Sequence, residues 1–242
     1  MIRTIYLIIV AYFLLGGIAF YFINRKKESA EAKKSRIKFI SYLVIIHILF
    51  FSIVINPFVF RILSIMIIIM GVFELLKLFR NADYKNKRFF AISLILYILL
   101  STGFYFFSGM EKEMILFSFL ALSIFDSFSQ ITGQLFGKKK ILPEISPAKT
   151  LEGLTGGALI AVFSSLLFKE LIEEAPINPL LLSAVIVAFA FIGDLLASCY
   201  KRKYKVKDFS NLIPGHGGFL DRFDSLIAGG AVVAFIEIFV NL

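Results

Sequence analysis

Long apolar runs recur along the whole chain, and they constrain its fold more than any other feature. Each run is about as long as the roughly 20 helical residues that cross a hydrocarbon core of about 30 Å. The runs fall near residues 4–23, 39–56, 58–79, 89–108, 113–132, 150–171, 177–199 and 223–242. A helix satisfies its own backbone hydrogen bonds within lipid, so the pattern predicts an all-α polytopic membrane protein with about eight transmembrane helices.

The composition is that of a chain for which the bilayer is the solvent. Of its 242 residues, 59% are hydrophobic and 18% are charged, whereas soluble domains carry about 25% charged residues. The single cysteine, Cys199, excludes an internal disulfide, and the two histidines, His47 and His216, lie too far apart for zinc-ligand spacing. The first apolar run is too long for a signal peptide and has no clear cleavage site, so we expect a retained span.

Lysine and arginine collect in alternate loops and so predict an orientation. The segments 24–38, 80–88, 137–149 and 200–222 hold 21 of the 26 basic residues. Cytoplasmic loops carry the excess of Lys and Arg, so we expect these four segments in the cytoplasm. The net charge of +9 then marks one basic membrane face that adjoins the lipid bilayer, and it indicates no nucleic-acid partner.

The third basic loop contains candidates for anion binding. Ser146 precedes Pro147, as is typical of a helix start, and the free backbone N–H groups of that start together with Lys149 would attract a phosphate. The alternative is a capped helix beside lysines that only set the orientation. Nearby glycines have small-xxx-small spacing, which favours close helix packing: Gly133 with Gly137, and Gly153 with Gly157.

Asp126, Asp194 and Glu74 each lie inside an apolar run. Asp126 and Asp194 lie about one to two turns from the predicted cytoplasmic ends, where an ionised aspartate costs roughly 2.5 to 3.5 kcal/mol. Either a buried Lys or Arg pairs with each aspartate, or the aspartates face a polar functional cavity. Glu74 is expected to be structural, either reaching the interface or pairing with Lys77.

The last basic loop and its flanks are the richest in polar residues. Asp194, Ser198 and Lys201 share one helix face because they are spaced i, i+4 and i+7. Asp221 and Asp224 likewise share a face at the start of the last span. Their oxygen atoms favour a hard cation such as Mg²⁺, which takes one or two carboxylates and leaves positions for substrate phosphates. The alternative is a solvated charged loop with a glycine turn.

His216 lies among glycines in that loop, and this setting favours a phosphate contact or a hydrogen bond that fixes the loop. The full string consists of Ser198, Lys201-Arg202, Lys207-Asp208, Pro214, His216-Gly217-Gly218 and Asp221-Arg222-Phe223-Asp224. It resembles the signature of the integral-membrane phosphatidate cytidylyltransferases, also called CDP-diacylglycerol synthases. A second block that resembles the family contains Asp126, Gly133, Gly137 and Ser146 to Gly153. The resemblance covers about residues 120–230.

The resemblance implies an enzyme that forms CDP-diacylglycerol and pyrophosphate from CTP and phosphatidate in phospholipid biosynthesis. It implies a homodimer in the bacterial inner membrane, with eight or nine spans and a polar active-site cavity facing the cytoplasm. The chain would then comprise N-terminal transmembrane helices, 1–110, and a catalytic transmembrane region, 111–242. The implied cofactor is Mg²⁺, with room for a second, monovalent cation such as K⁺.

The resemblance also assigns roles to individual residues. The catalytic residues would be Asp194, Lys201, Asp208, His216 and Asp221, and the metal ligands Asp194, Asp221 and Asp224. The substrate-binding residues would be Asp126, Ser146, Lys149, Thr150, Glu152, Ser198, Arg202, Lys207, Gly217, Gly218 and Arg222.

Two other functions stay open. The first is a cytidylyltransferase that acts on another lipid phosphate, such as an ether lipid, because acyl and ether chains both contact plain apolar surface. The second is a polytopic transporter, which also places aspartates at a helix end facing a cavity. A transporter would not require a glycine loop with phosphate-binding cations on one side only.

Overall fold

Eight long helices dominate the structure, a computed structural model that describes residues 2–25, 28–173, 177–213 and 217–240. The helices are α1 (Ile2–Arg25), α2 (Ser29–Ile55), α3 (Pro57–Asn81), α4 (Lys87–Phe107), α5 (Lys112–Phe136), α6 (Leu151–Ser164), α7 (Pro179–Lys203) and α8 (Leu220–Val240). A 3-10 helix, Ser165–Ile172, continues α6. Seven spans, counting α6 with this extension, are long and apolar enough to cross a membrane, and α8 adds a helix of 21 residues. The predicted all-α membrane fold is confirmed.

Two Asn-Pro pairs separate helices. The side chain of Asn56 accepts a hydrogen bond from the backbone N–H of Phe58 at 3.0 Å, and Pro57 takes the first helical position of α3. Asn178 caps α7 in the same way, with 2.9 Å to the N–H of Leu180. Proline suits this position because its missing N–H would have no partner within the helix.

The centre of the bundle is formed by α5 and α8. Residues 115–122 of α5 and 225–234 of α8 are all buried. The last helix packs against α3, α4, α5 and α7. The outer helices instead expose large apolar side chains, such as Leu14, Ile69 and Ile95. An exposed apolar surface on so many helices is what a protein in contact with lipid requires.

Glycines bring α5 and α6 together, as their spacing predicts. A Cβ atom added to Gly157 would lie 2.7 Å from the backbone nitrogen of Ser129, and one on Gly153 would lie 3.1 Å from the Cα of Gly133. Real Cβ atoms do not approach backbone so closely without strain, so the two helices touch through backbone. The contact fixes the end of α5 beside the loop that precedes α6.

The third basic loop forms a β-hairpin. Strand β1 (Lys140–Leu142) pairs antiparallel with β2 (Ser146–Thr150). Ser146 and Pro147 therefore lie in a strand, and the prediction that Ser146 caps a helix beginning at Pro147 is wrong. A proline is also tolerated in a two-stranded ribbon, where it can face away from the partner strand.

The helix after the hairpin begins four residues later than predicted. Thr150 is the capping residue of α6, and its hydroxyl accepts a hydrogen bond from the N–H of Gly153 at 3.1 Å. Threonine is a good N-cap because it satisfies one of the free N–H groups of the first turn. The hairpin ends where the N–H of Leu151 donates to the carbonyl of Lys139 at 2.8 Å.

Candidate active site

A cavity of about 1190 Å³ lies between α1, α2, α5, α7, α8 and the hairpin. Its apolar wall is contributed mainly by α1, α2 and α5 and includes Ile9, Phe13, Phe39 and Ile46. Its polar end is lined by most of the predicted site residues: Asp126, Ser146, Lys149, Thr150, Asp194, Ser198, Lys201, Arg202, Lys207, Asp208, Gly217, Asp221, Arg222 and Asp224. Predicted site residues up to 98 positions apart in the sequence (224 − 126) thus meet in one cavity.

Of the predicted site residues that the structure describes, two are not part of this lining, Gly218 and Glu152. His216 lies outside the described residues. Gly218 instead lies against the carboxylate of Glu74 in α3. Glu152 lies in the first turn of α6, where its carboxylate accepts hydrogen bonds from the backbone N–H groups of Lys138 at 2.9 Å and Lys139 at 3.1 Å. Glu152 therefore holds the segment between α5 and β1 in place.

Asp194 of α7 forms an ion pair with Lys149 of the hairpin. The Nζ atom of Lys149 lies 2.5 Å from Oδ2 of Asp194, although it is not aligned for a hydrogen bond. Ser198, one turn further along α7, donates a long hydrogen bond of 3.4 Å to Oδ1. The carboxylate of Asp194 is thus paired with a lysine, as one alternative predicted, and it also lines the cavity. Its functional role stays a prediction.

Two further carboxylates lie near Asp194. Asp126 of α5 and Asp224 of α8 each interact electrostatically with Asp194. In the described part of the chain neither of them has a Lys or Arg within 4.0 Å. Asp126, Asp194 and Asp224 thus come from three helices to one part of the cavity, where Lys149 forms an ion pair with Asp194. Like charges gathered in this way favour a bound cation or a cationic ligand.

Asp221 has a different environment, because three donors already surround its carboxylate. The Nζ atom of Lys201 donates to Oδ1 at 2.6 Å, and Oδ2 accepts the backbone N–H groups of Phe209 at 2.7 Å and Gly218 at 2.8 Å. The side chains of Lys201 and Asp221 are only 11% and 5% exposed. Asp221 therefore fixes Lys201 and the loop before α8, and the described donors leave one lone pair, on Oδ1, for a metal ion.

The glycine pair of the signature makes room for two carboxylates. Gly217 has φ +85°, and a Cβ atom there would lie 2.6 Å from Oδ2 of Asp221. A Cβ atom on Gly218 would overlap with the carboxylate of Glu74. Any side chain at either position would displace a carboxylate that binds the loop, so glycine is required by space as well as by conformation.

Glu74 is the residue whose role the sequence did not predict. It is fully buried, and its carboxylate accepts hydrogen bonds from the hydroxyl of Ser210 at 2.6 Å and from the N–H groups of Phe219 at 3.0 Å and Leu220 at 2.8 Å. The expectation that Glu74 reaches the interface or pairs with Lys77 is wrong. The free N–H groups at the start of α8 signalled the need for an acceptor, but not which residue supplies it.

The two arginines of the signature differ in their availability. Arg202 donates from Nε to the carbonyl of Ile145 at 3.0 Å and from Nη1 to that of Val206 at 2.9 Å, so it ties the hairpin turn to the end of α7. The Nε atom of Arg222 is buried and has no hydrogen-bond partner among the described residues. Since Arg222 also lines the cavity, it is a donor ready for an anionic ligand.

Metal binding is not established by this geometry. Within the ranges that the structure covers, no three His, Cys, Asp or Glu side chains converge closely enough to form a metal site by themselves. The assignment of Asp194, Asp221 and Asp224 as metal ligands stays a prediction. So do the catalytic and substrate-binding roles of the other residues.

The family match covers the part of the chain that carries the polar end of this cavity. Residues 111–239 match the model of the cytidylyltransferase family. The phosphatidate cytidylyltransferase of Bacillus subtilis (strain 168) is 46% identical over 105 residues, which are 42% of this chain and 39% of that protein. The same enzyme of Haemophilus influenzae is 38% identical over 133 residues, 52% of this chain and 46% of that protein.

A phosphatidate cytidylyltransferase of Rickettsia felis is similar over a longer stretch. It is 36% identical over 169 residues, which are 65% of this chain and 74% of that protein. The chain thus spans less than half of the Bacillus and Haemophilus proteins but 74% of the Rickettsia protein. The family match covers more than half of the 242 residues and includes α5 to α8, which carry the carboxylates of the cavity. The chain belongs to the cytidylyltransferase family.

Proposed function

We propose that this protein is a phosphatidate cytidylyltransferase, which converts CTP and phosphatidate into CDP-diacylglycerol and pyrophosphate. The observation that carries the proposal is the two-sided character of the cavity. Its polar end presents Lys149 and Arg222, whereas its wall from α1 and α2 is apolar and aromatic. A lipid phosphate likewise combines an anionic headgroup with an apolar tail. The phosphates of a nucleoside triphosphate need cations to bind them. The family membership and the names of the similar proteins support the same activity.

The reaction requires alignment and charge neutralisation rather than a covalent intermediate. A phosphate oxygen of phosphatidate is already a nucleophile, so it can attack the α-phosphorus of CTP while the bond to pyrophosphate breaks. Lys149 and Arg222 would hold the phosphates, since both cations line the cavity and the Nε atom of Arg222 has no partner among the described residues. Lys201, fixed by Asp221, would add positive charge beside them.

The carboxylates suit a magnesium ion. Mg²⁺ is usually bound by only one or two protein carboxylates and keeps positions for water and substrate phosphates. Asp194 and Asp224, with Asp126 nearby, offer such oxygen donors at the cavity, so Asp194 and Asp224 would hold the ion. Bound there, Mg²⁺ would supply a Lewis acid and a template for the phosphates. Asp221 would join them only through the one lone pair of Oδ1 that the described donors leave.

We also propose an orientation, a location and an oligomeric state for the protein. The four basic segments would face the cytoplasm, where CTP is available, and the protein would reside in a bacterial inner membrane as a homodimer. Residues 1–110 would supply the apolar wall and the packing partners of a catalytic region at 111–242. The orientation is supported by the distribution of Lys and Arg.

The test is an assay of the purified full chain in lipid nanodiscs with radiolabelled CTP and Mg²⁺. The lipid panel contains phosphatidate, an ether-linked analogue, lysophosphatidate and no lipid phosphate. We expect the wild-type protein to form a CDP-lipid from phosphatidate, and the Asp194→Asn variant to form none. If only the ether-linked analogue is turned over, the substrate is an ether lipid phosphate and not phosphatidate. Solute uptake by proteoliposomes without any CTP turnover would favour the transporter instead.

A further inference from the structure

We propose that Glu74 of α3 is a positioning residue of the active site. Its buried carboxylate holds the first turn of α8 and thereby sets the places of Asp221, Arg222 and Asp224. The inference rests on the proposed function for what those three residues do, but its geometric part can be tested separately. Glu74 lies outside residues 111–239, which the family model matches.

The contacts of Glu74 are all on one segment of chain. The oxygen Oε1 accepts the hydroxyl of Ser210 and the N–H of Phe219, and Oε2 accepts the N–H of Leu220, at 2.6, 3.0 and 2.8 Å. These donors bracket the loop that contains the signature glycines. One carboxylate of α3 therefore binds both the beginning of that loop and the beginning of α8.

Two carboxylates accept three consecutive N–H groups just before and at this helix start. The N–H groups at the beginning of a helix have no acceptor within it. Asp221 accepts the N–H of Gly218, and Glu74 accepts the next two, those of Phe219 and Leu220. A negative charge is also favourable here because the helix dipole is positive at its N-terminus. The acceptors come from two different helices, so the start of α8 is fixed relative to α3.

The position of this turn decides the geometry of the cavity. Asp221 belongs to the same turn and holds Lys201 of α7 at 2.6 Å. Arg222 follows directly, and its buried Nε faces no acceptor in the described structure. Gly218 has no side chain where the Glu74 carboxylate approaches, so the loop is shaped around that carboxylate. A shift of about 1 Å in a group that aligns reacting phosphates can lower turnover about 100-fold.

A control exists on the same helix. Arg61 of α3 donates a hydrogen bond of 2.9 Å to the hydroxyl of Tyr105 in α4. Arg61 lies 13 residues before Glu74 (74 − 61), which is about 20 Å along the helix. Tyr105→Phe therefore removes a hydrogen bond between α3 and α4 without removing an anchor of the active site.

The first measurement compares steady-state kinetics of folded, monodisperse protein. We expect Glu74→Gln to lower kcat about 10- to 100-fold, while the KM for CTP changes by less than about threefold. The glutamine amide has the same size as the carboxylate, but only its oxygen accepts a hydrogen bond. Its NH₂ group would face one of the hydrogen-bond donors. Glu74→Asp keeps both oxygens and should recover part of kcat. Tyr105→Phe should leave kcat unchanged.

The second measurement reports on the loop without any need for activity. Ile213 is partly buried on the loop and packs against the hydrophobic core, so an Ile213→Cys variant, in a Cys199→Ser background, provides one thiol whose reactivity depends on loop opening. We expect its rate of maleimide labelling to rise about threefold or more when Glu74→Gln is added, because the loop then opens more often. Tyr105→Phe should not change that rate.

The outcomes separate the two proposals. A wild-type protein that makes no CDP-lipid refutes the proposed function, whereas the labelling still tests the anchor. Unchanged kcat in Glu74→Gln, or lost kcat with an unchanged labelling rate, overturns the positioning role. If Glu74→Gln does not fold, Ser210→Ala takes its place, since it removes one of the three donors. It should lower kcat about two- to fivefold, and unaltered kinetics would overturn the inference.

Discussion

Lys149 of the hairpin and Asp194 of α7 form an ion pair of 2.5 Å inside the cavity. The pair connects a loop of the predicted cytoplasmic face with a carboxylate inside an apolar helix. The lysine stem also packs near the ring of Phe191, with Nζ 4.9 Å from its centroid. A phosphate that enters the cavity therefore meets a lysine that is already held in place.

Lys149→Met should raise the KM for CTP by about tenfold or more, because a charge-assisted phosphate contact contributes about 1.5 to 3 kcal/mol. Lys138→Met is the matched control, since Lys138 is exposed and outside the cavity lining although it lies in the same basic loop. Initial rates against CTP concentration check the prediction. An equal rise in both variants would mean that the loop acts only through its total charge.

Asp194→Asn and Asp221→Asn should each remove most of the turnover, and the double variant should be little worse, because catalytic groups that act as a unit are not additive. Their stabilities should differ. Asp221→Asn weakens the hold on Lys201 and on two N–H groups, so only this variant should lower the midpoint of thermal unfolding markedly. CDP-lipid formation against Mg²⁺ concentration, together with thermal unfolding, checks both parts. Single variants with full activity at the same Mg²⁺ requirement would refute a shared site.

Lys201→Ala and Arg222→Ala should both lose activity but for different reasons. Lys201→Ala leaves Asp221 as an unpaired buried charge, which costs about 3 to 5 kcal/mol of stability. Arg222→Ala should stay folded, since no hydrogen bond of its Nε atom is lost within the described structure. Arg222→Lys should rescue poorly because lysine lacks the planar fork of donors. The yield of monodisperse protein and kcat/KM for each variant separate the two effects, and equally stable alanine variants would contradict them.

The orientation can be tested with single cysteines in a Cys199→Ser background. A cysteine at the exposed Leu212 should resist an impermeant maleimide in intact cells and react after permeabilisation, whereas one at the exposed Glu173 should react in both. The reverse pattern would place the cavity on the side without CTP.

The helices could be predicted because membrane-spanning length and apolarity are local properties. Asn56 and Pro57 illustrate this, since the cap and its proline are neighbours in sequence. The hairpin at Ser146 was not predicted, because Ser-Pro is compatible with a helix start and with a ribbon. Nothing in the sequence near Glu74 points to Ser210, and backbone N–H donors leave no trace in a residue pattern. The signature motif therefore predicted the residues at the polar end of the cavity, but not that Glu74 holds the loop and the start of α8.

The anchor at Glu74 has a consequence for the order in which the protein is made. Glu74 is synthesised 136 residues before Ser210, the first of its three donors. At a translation rate of about 5 to 20 residues per second, this separation lasts on the order of 10 seconds. During that interval α3 enters the membrane with a carboxylate that has none of the donors that hold it in the finished fold. The completion of α8 thus ends a period in which the nascent chain carries an unsatisfied acid.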